Sequence, residues 1–466
     1  MGIAARALVC PLALVLLLGG AAPRDADLGD IAAAAGHPSK LHLIATRTVR
    51  RDQRTIEETI ETDGDTRMLR ACSADVCGGM LVKNGAVLTF GPNGVPLPDF
   101  RVDAAAERTV SAILSTRFAE PGFAARGGTV SRQPLGNGKI ERWDVRAPEG
   151  SPLTVEVDAH SHRLLAIERP EHAPLVLVAT QAVGTILYAD SAYAGLERRA
   201  GPMGDPPGAR TTVSDTRDVR LAPAALPIVD CAIDAHPARC LIDTGASPSA
   251  ISLHFAELLD REPHGEIEIA ALGDFLTGMI DTSNVSVGGA RIAKLQLAVL
   301  PATRGGGFDA VLGSDALAAL RLAFDPVRHF VRIGPSGPTP PPGTSIALKF
   351  AAGVPYVHAE FGAHHPETLL LDTGDVGMLS IGYDDYRRDL SLFPATGNTT
   401  ALGIGGMAAA VTGEIPRATI GTLDFSNASI KAVRAQHGGH LGYAFAAACG
   451  GITLDFSLQS VTCAGR

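Results

Sequence analysis

Aromatic side chains are scarce in this chain of 466 residues, at 5% in all with a single tryptophan. Basic excess is absent too: the formal net charge at pH 7 is −9, and no basic run or aromatic-basic stripe offsets it. A nucleic-acid partner is therefore not expected. Beyond the N-terminus no segment is long and apolar enough to span a membrane. The glycine-rich stretches carry no Lys-Ser or Lys-Thr and do not follow a strand-loop-helix pattern, which excludes a phosphate loop. No cysteine spacing supplies the two close ligand pairs of a structural zinc site, so no metal and no cofactor are expected. Against these absences, 46% hydrophobic and 19% charged residues describe a globular chain rather than a disordered one. The 52 glycines and 31 prolines suit a turn-rich β protein, and the length allows more than one domain.

Residues 1–22 read as a secretory signal. Arg6 supplies the positive end, Leu12 to Leu18 the apolar core, and Gly20-Ala21-Ala22 a small-residue cleavage site. An uncleaved anchor is the other reading, but the run is short of the ~20 residues that cross a bilayer. Cleavage removes Cys10 and leaves six cysteines in close pairs: Cys72 with Cys77, Cys231 with Cys240, and Cys449 with Cys463. Sequence leaves the connectivity open. Proximity favours the three local pairs, the last two as staples across hairpins. An export signal with paired cysteines implies an oxidising compartment, periplasmic or extracellular.

Residues 28–200 are expected to form an antiparallel-sheet domain with one helix. Leu41 to Val49, Thr55 to Thr62, Lys139 to Arg146, Leu153 to Val157, Leu164 to Arg169, Leu175 to Ala179 and Gly184 to Tyr188 read as strands. Asn84-Gly85, Asn93-Gly94 and Asn137-Gly138 are turn signals. Ala104 to Ala119 reads as the helix, with Val110, Ile113 and Leu114 on one face. The pattern resembles the half-barrel of periplasmic lipoprotein-carrier proteins, without a diagnostic motif. Trp143, in a strand, is expected in the core. Asp158-Ala159-His160-Ser161-His162 reads as a turn rather than a metal site, and His364-His365 sits in a hairpin turn. A Pro/Gly linker spans 201–217 and another 335–343. They bracket one region at 218–334 and precede a second at 344–466.

Those two regions are copies of one another. Asp-Thr-Gly closes an apolar run in each, as Cys240-Leu241-Ile242-Asp243-Thr244-Gly245 and as Leu369-Leu370-Leu371-Asp372-Thr373-Gly374. Val311-Leu312-Gly313 follows the first and His440-Leu441-Gly442 the second, at equal offsets (313 − 243 and 442 − 372). Upstream, Leu226-Pro227-Ile228-Val229 is echoed by Val354-Pro355-Tyr356-Val357. Such an internal repeat places two carboxylates on matching loops, able to face each other across a pseudo-twofold axis. Two carboxyl groups so placed cannot both ionise, and they share one proton. One then acts as base on a water and the other as acid toward a carbonyl oxygen, with no metal or covalent intermediate required.

On these residues the two copies resemble retropepsin-like aspartic proteases, joined in one chain as pepsin's lobes are, over roughly 220–466. The resemblance implies a mainly β protein with two tandem β-barrel lobes forming a pepsin-like pseudo-dimer, preceded by the half-barrel-like domain. It implies an aspartic endopeptidase with Asp243 and Asp372 as the catalytic pair, Thr244 and Thr373 locking the loops, and Gly245 and Gly374 permitting the turn. Leu312, Gly313, Leu441 and Gly442 would support the loops from behind. Gly403-Ile404-Gly405-Gly406 resembles the tip of the family's flap, with a weaker counterpart at Leu272-Gly273-Asp274-Phe275. A peptide or protein is the implied substrate, and a monomer is expected because both halves of the pair lie in one chain. The chain departs from the family at Asp375, where Ala or Ser is usual, and at His440, where an apolar residue is usual. Turned inward, a third carboxylate would raise the pair's pKa values. Asp325 and Asp455 read as repeated structural acids near a strand start. The alternatives are a peptide-binding module without strong catalysis and an apolar-ligand carrier acting through the N-terminal domain.

Overall fold

The computed structural model describes residues 42–51, 54–63, 66–102, 104, 107, 129–135, 138–146, 153–158, 164–168, 186–188, 191–198, 203–272, 274–300, 307–361, 365–404, 406–436 and 438–465. The expected signal, most of the helix over Ala104 to Ala119, the strand at Leu175 to Ala179, all but Asp158 of the turn at 158–162, and His364 lie outside them. The fold is mainly β, as expected. None of the described helices is long and apolar enough to cross a membrane.

The chain forms two compact units, one drawing on 1–45, 63–65 and 105–199, the other on 46–62, 66–104 and 200–466. This division cuts across the 28–200 region read from the sequence. In the smaller unit, strands Thr129–Leu135, Ile140–Arg146, Leu153–Asp158 and Leu164–Glu168 make an antiparallel sheet. Trp143 is buried there and its indole N–H donates to Glu141. In the larger unit, Thr66–Ser73, Val76–Lys83, Ala86–Phe90 and Leu97–Pro98 form a meander. Asn84 and Gly85 turn between its second and third strands with φ of 52° and 75°, which the Asn-Gly pair tolerates.

The rest of the larger unit is the repeat. Seven strands of the first copy matter for the site: β1 Ile228–Ile233, β2 His236–Ile242, β3 Ala250–Ser252, β4 His264–Ile269, β5 Phe275–Asp281, β6 Gln296–Leu300 and β7 Ala310–Leu312. Their spatial order is β1-β2-β7-β3-β6-β5-β4. The second copy supplies β8 Val354–Phe361, β9 His365–Asp372, β10 Leu379–Gly382, β11 Ala395–Gly403, β12 Gly406–Ile420, β13 Leu423–Val433 and β14 Gly439–Gly442. Their order, β8-β9-β14-β10-β13-β12-β11, is the same arrangement repeated. In each copy the short strand that carries the hydrophobic-Gly element slots between two others. β7 runs parallel to β2 and antiparallel to β3, and β14 runs parallel to β9 and antiparallel to β10. Being central, β2 and β9 need apolar side chains on both faces, which is why each Asp-Thr-Gly ends an unbroken apolar run.

A further six-stranded sheet takes Arg217–Arg220, Leu320–Asp325 and Phe330–Pro335 from the first copy and Thr344–Ala347, Ile452–Asp455 and Ser460–Cys463 from the second. Leu322 pairs with Leu454 and Phe324 with Ile452 where the copies join. Asp325 and Asp455 close their strands rather than start them. Asp455 is fully buried and accepts from Arg321 Nε at 2.7 Å and from Ser457. Disulfides join Cys72 to Cys77, Cys231 to Cys240 and Cys449 to Cys463. The second ties the β1–β2 hairpin. The third links the end of helix Ala444–Ala448 to the last strand, so it does not staple a hairpin as expected from the sequence.

Candidate active site

Asp243 directly follows β2 and Asp372 is the last residue of β9, and the two loops they begin interlock. Thr244 N–H donates to Thr373 Oγ1 at 3.0 Å and Thr373 N–H to Thr244 Oγ1 at 3.1 Å. Each hydroxyl passes on to the opposite strand, Thr244 Oγ1 to Leu371 O at 2.5 Å and Thr373 Oγ1 to Ile242 O at 2.7 Å. Both threonines are buried, so these bonds act where water cannot compete. Gly245 N–H donates to Asp243 Oδ1 at 2.9 Å and Gly374 N–H to Asp372 Oδ1 at 2.8 Å. A Cβ on Gly245 would stand 2.7 Å from Asp372 Cγ, and one on Gly374 would stand 2.6 Å from Asp243 Cγ. Each carboxylate thus rests on the other loop's glycine, and no side chain fits there.

The hydrophobic-Gly elements hold the loops from behind. Asp243 N–H donates to Leu312 O at 3.0 Å, and Asp372 pairs in register with Gly442. A Cβ on Gly313 would press on Ala246, and one on Gly442 would come 2.6 Å from Asp375 O. Ser314 N–H donates to Ala246 O and Tyr443 N–H to Asp375 O, the same bond in both copies. Ile242, Leu312, Leu371 and Leu441 are almost wholly buried and exclude water behind the pair. Asp315, next to Ser314, is buried and accepts from Ser249 N–H, Ser249 Oγ and Asn93 Nδ2. Burial pushes its carboxyl above the usual value against those bonds. Asn93 also bonds both ways with the Gln296 backbone. The meander 66–98 is therefore tied to the wall of the site, which no motif in the sequence revealed.

The two carboxylates are not electrostatically equal. Burial, then the charge of Asp372, raises Asp243 well above the ordinary carboxyl value. Burial also pushes Asp372 up, but the bond and charge of His440, with Asp243 and Gly374 N–H, outweigh it and hold Asp372 low. His440 Nδ1 lies 3.0 Å from Asp372 Oδ2. Its sequence signal was the repeat itself, which puts it where the first copy has Val311. Asp375 does not act on the pair as a free third carboxylate. It accepts from Lys431 Nζ at 2.6 Å, Ser380 Oγ at 3.0 Å and Gly377 N–H at 2.8 Å.

Two hairpins meet tip to tip. β11 and β12 pair out to Gly403 and Gly406, with Ile404 between them at the tip; Gly405 is outside the described residues. β4 and β5 carry the first copy's loop, where Gly273 is likewise outside the described residues. Leu272 N–H donates to Ile404 O at 3.1 Å. Ile404 packs on the apolar cluster of Leu241, Val311 and Met279 in the first copy. Met407 and Leu402, beside the tip, are exposed. Among the described residues no three His, Cys, Asp or Glu are clustered as a metal site.

Residues 229–319 match the family model described as "gag-polyprotein putative aspartyl protease". The chain is similar to a retropepsin-like aspartic protease from Rickettsia conorii, at 15% identity and TM-score 0.22 over 27% of this chain and 95% of that one. It is also similar to an aspartic proteinase from Irpex lacteus, at 13% identity and TM-score 0.35 over 53% of this chain and 96% of that one. No curated protein sequence matches it.

Proposed function

We propose that the larger unit is an aspartic endopeptidase that hydrolyses peptide bonds with a water activated between Asp243 and Asp372. The carrying observation is the mutual seating of the two carboxylates, each against the other loop's glycine, on loops locked by Thr244 and Thr373. One carboxyl raised and one lowered supports a single shared proton across the ordinary acid range. The ionised group takes a proton from water as its oxygen attacks the scissile carbonyl carbon. The protonated group gives its proton to the carbonyl oxygen. Collapse of the tetrahedral intermediate breaks the C–N bond, and a proton passes to the leaving nitrogen. The hairpin tips joined at Leu272 and Ile404 would part to admit a peptide and close over it.

The ion pair between Asp375 and Lys431 favours this reading over a decayed binding module, because the extra carboxylate is neutralised beside the site. Three disulfides support an oxidising, exported setting. A monomer suffices, since one chain supplies both carboxylates. The test is digestion of a mixed peptide library from pH 3 to 8 by the parent and by Asp372→Asn. Cleavage by the parent alone supports the proposal. Equal cleavage by both, or by neither at any pH, rejects it.

A further inference from the structure

The two copies differ along one row of side chains. In the first sheet the row crosses β1, β2, β7, β3 and β6 through Ile228, Leu241, Val311, Ala250 and Ala298, each in register with the next. All five belong to one buried apolar cluster. In the second sheet the matching row crosses β8, β9, β14, β10 and β13 through Tyr356, Leu370, His440, Ser380 and Lys431. The same face of the same fold has become polar, and its middle position has become a histidine that reaches the pair.

Polar and charged groups reach the surroundings of His440 from three strands. β9 brings Asp372, in direct contact at 3.0 Å, and Asp243 lies beyond it. β10 brings Ser380, whose hydroxyl donates to Asp375 and accepts from Gln436. β13 brings Lys431, which Asp375 neutralises. The charges of Asp375 and Lys431 cancel, so His440 is the group that distinguishes one carboxylate from the other. On the first copy's side Val311 offers Asp243 nothing comparable.

We propose that His440 is a positioning residue for the hydrolysis proposed above: its bond to Asp372 Oδ2 keeps the negative charge on Asp372 and the shared proton on Asp243. Asp372 is then the base toward water and Asp243 the acid toward the carbonyl oxygen. The inference rests on the protease reading, and it adds a direction that two equivalent Asp-Thr-Gly loops would not have. Asp372 selects the tautomer with the proton on Nδ1 when the ring is neutral, and an imidazolium strengthens the same bond when it is charged. Because the base stays ionised to lower pH, the acid limb of activity extends downward.

The test compares kcat/KM from pH 3 to 8 for the parent, His440→Val and His440→Asn, with 13C titration of the Asp372 carboxyl in each. Valine copies the first repeat. Asparagine keeps a neutral donor near the Nδ1 position without the charge. In His440→Val the acid limb and the Asp372 titration should both rise by about one pH unit, an about tenfold loss at pH values below the limb. His440→Asn should fall between, and it carries the test if the valine variant does not fold. A uniform loss at every pH with an unmoved limb would mark a merely structural histidine and overturn the inference. A parent that cuts no peptide overturns the protease reading. A parent that cuts, with a limb indifferent to both substitutions, overturns this inference alone.

Discussion

At the scale of single residues, the site depends on glycine as much as on aspartate. Gly374 is required because its missing side chain is where Asp243 sits. Gly374→Ala should displace that carboxylate and cut kcat/KM by about a hundredfold or more, since small misplacements of a reacting group cost that much. Thermal unfolding measured beside the kinetics checks that the loss is not simply unfolding. The Asp-Thr-Gly triplets and the hydrophobic-Gly elements were legible because their chemistry is local, a turn with a carboxylate and a strand behind it. The partners of Asp375 and His440 were not. Lys431 lies 56 residues from Asp375 and His440 lies 68 from Asp372. Only the sheet order brings them together. Read alone, Asp375 and His440 look like damage. With their partners in view, one is neutralised and the other is bonded to the pair.

At the scale of elements, clear alternation in the sequence marks strands. Strands expected at Leu41 to Val49, Thr55 to Thr62 and Leu153 to Val157 are found within a residue or two. The tip-to-tip meeting of the hairpins at Leu272 and Ile404 was not legible, because a glycine-rich turn says where a hairpin bends and not what it touches. The six-stranded sheet gives a prediction of its own. Burial works against ionisation of Asp455, but the bonds from Ser457 and Arg321 hold its carboxyl below the ordinary value. A carboxyl lowered on folding contributes stability that is present above its unfolded value near ~4 and fades as pH falls through the lower folded value. Asp455→Asn should therefore destabilise the protein at neutral pH and reduce the dependence of Tm on pH below ~4. Calorimetry across that range checks it, and an unchanged pH slope would show that Asp455 is not linked to folding.

At the scale of the whole molecule, the repeat fixed the architecture of 218–466, and the N-terminal region did not follow the same logic. In the sequence the linker at 201–217 sets the 28–200 region apart. Yet Asn93 is buried against Asp315 and Gln296, and Phe100 N–H donates to Phe350 O. A single asparagine in a turn signal gives no hint of a partner 222 residues away. Asn93→Ala should leave Asp315 short of a donor in a dry site and cost about 1–3 kcal/mol of stability. A Tm lowered by a few degrees would bear this out, and no change would show that the meander merely rests there.

The central claim is that Asp243 and Asp372 form one unit sharing one proton. Its most direct measurement is kcat/KM on one cleaved peptide for Asp243→Asn, Asp372→Asn and the double variant. A single working unit predicts that each substitution alone removes the activity about as completely as both together, because residues acting as a unit are not additive. A single variant that keeps near-parent cleavage, or losses that simply add, would contradict the account.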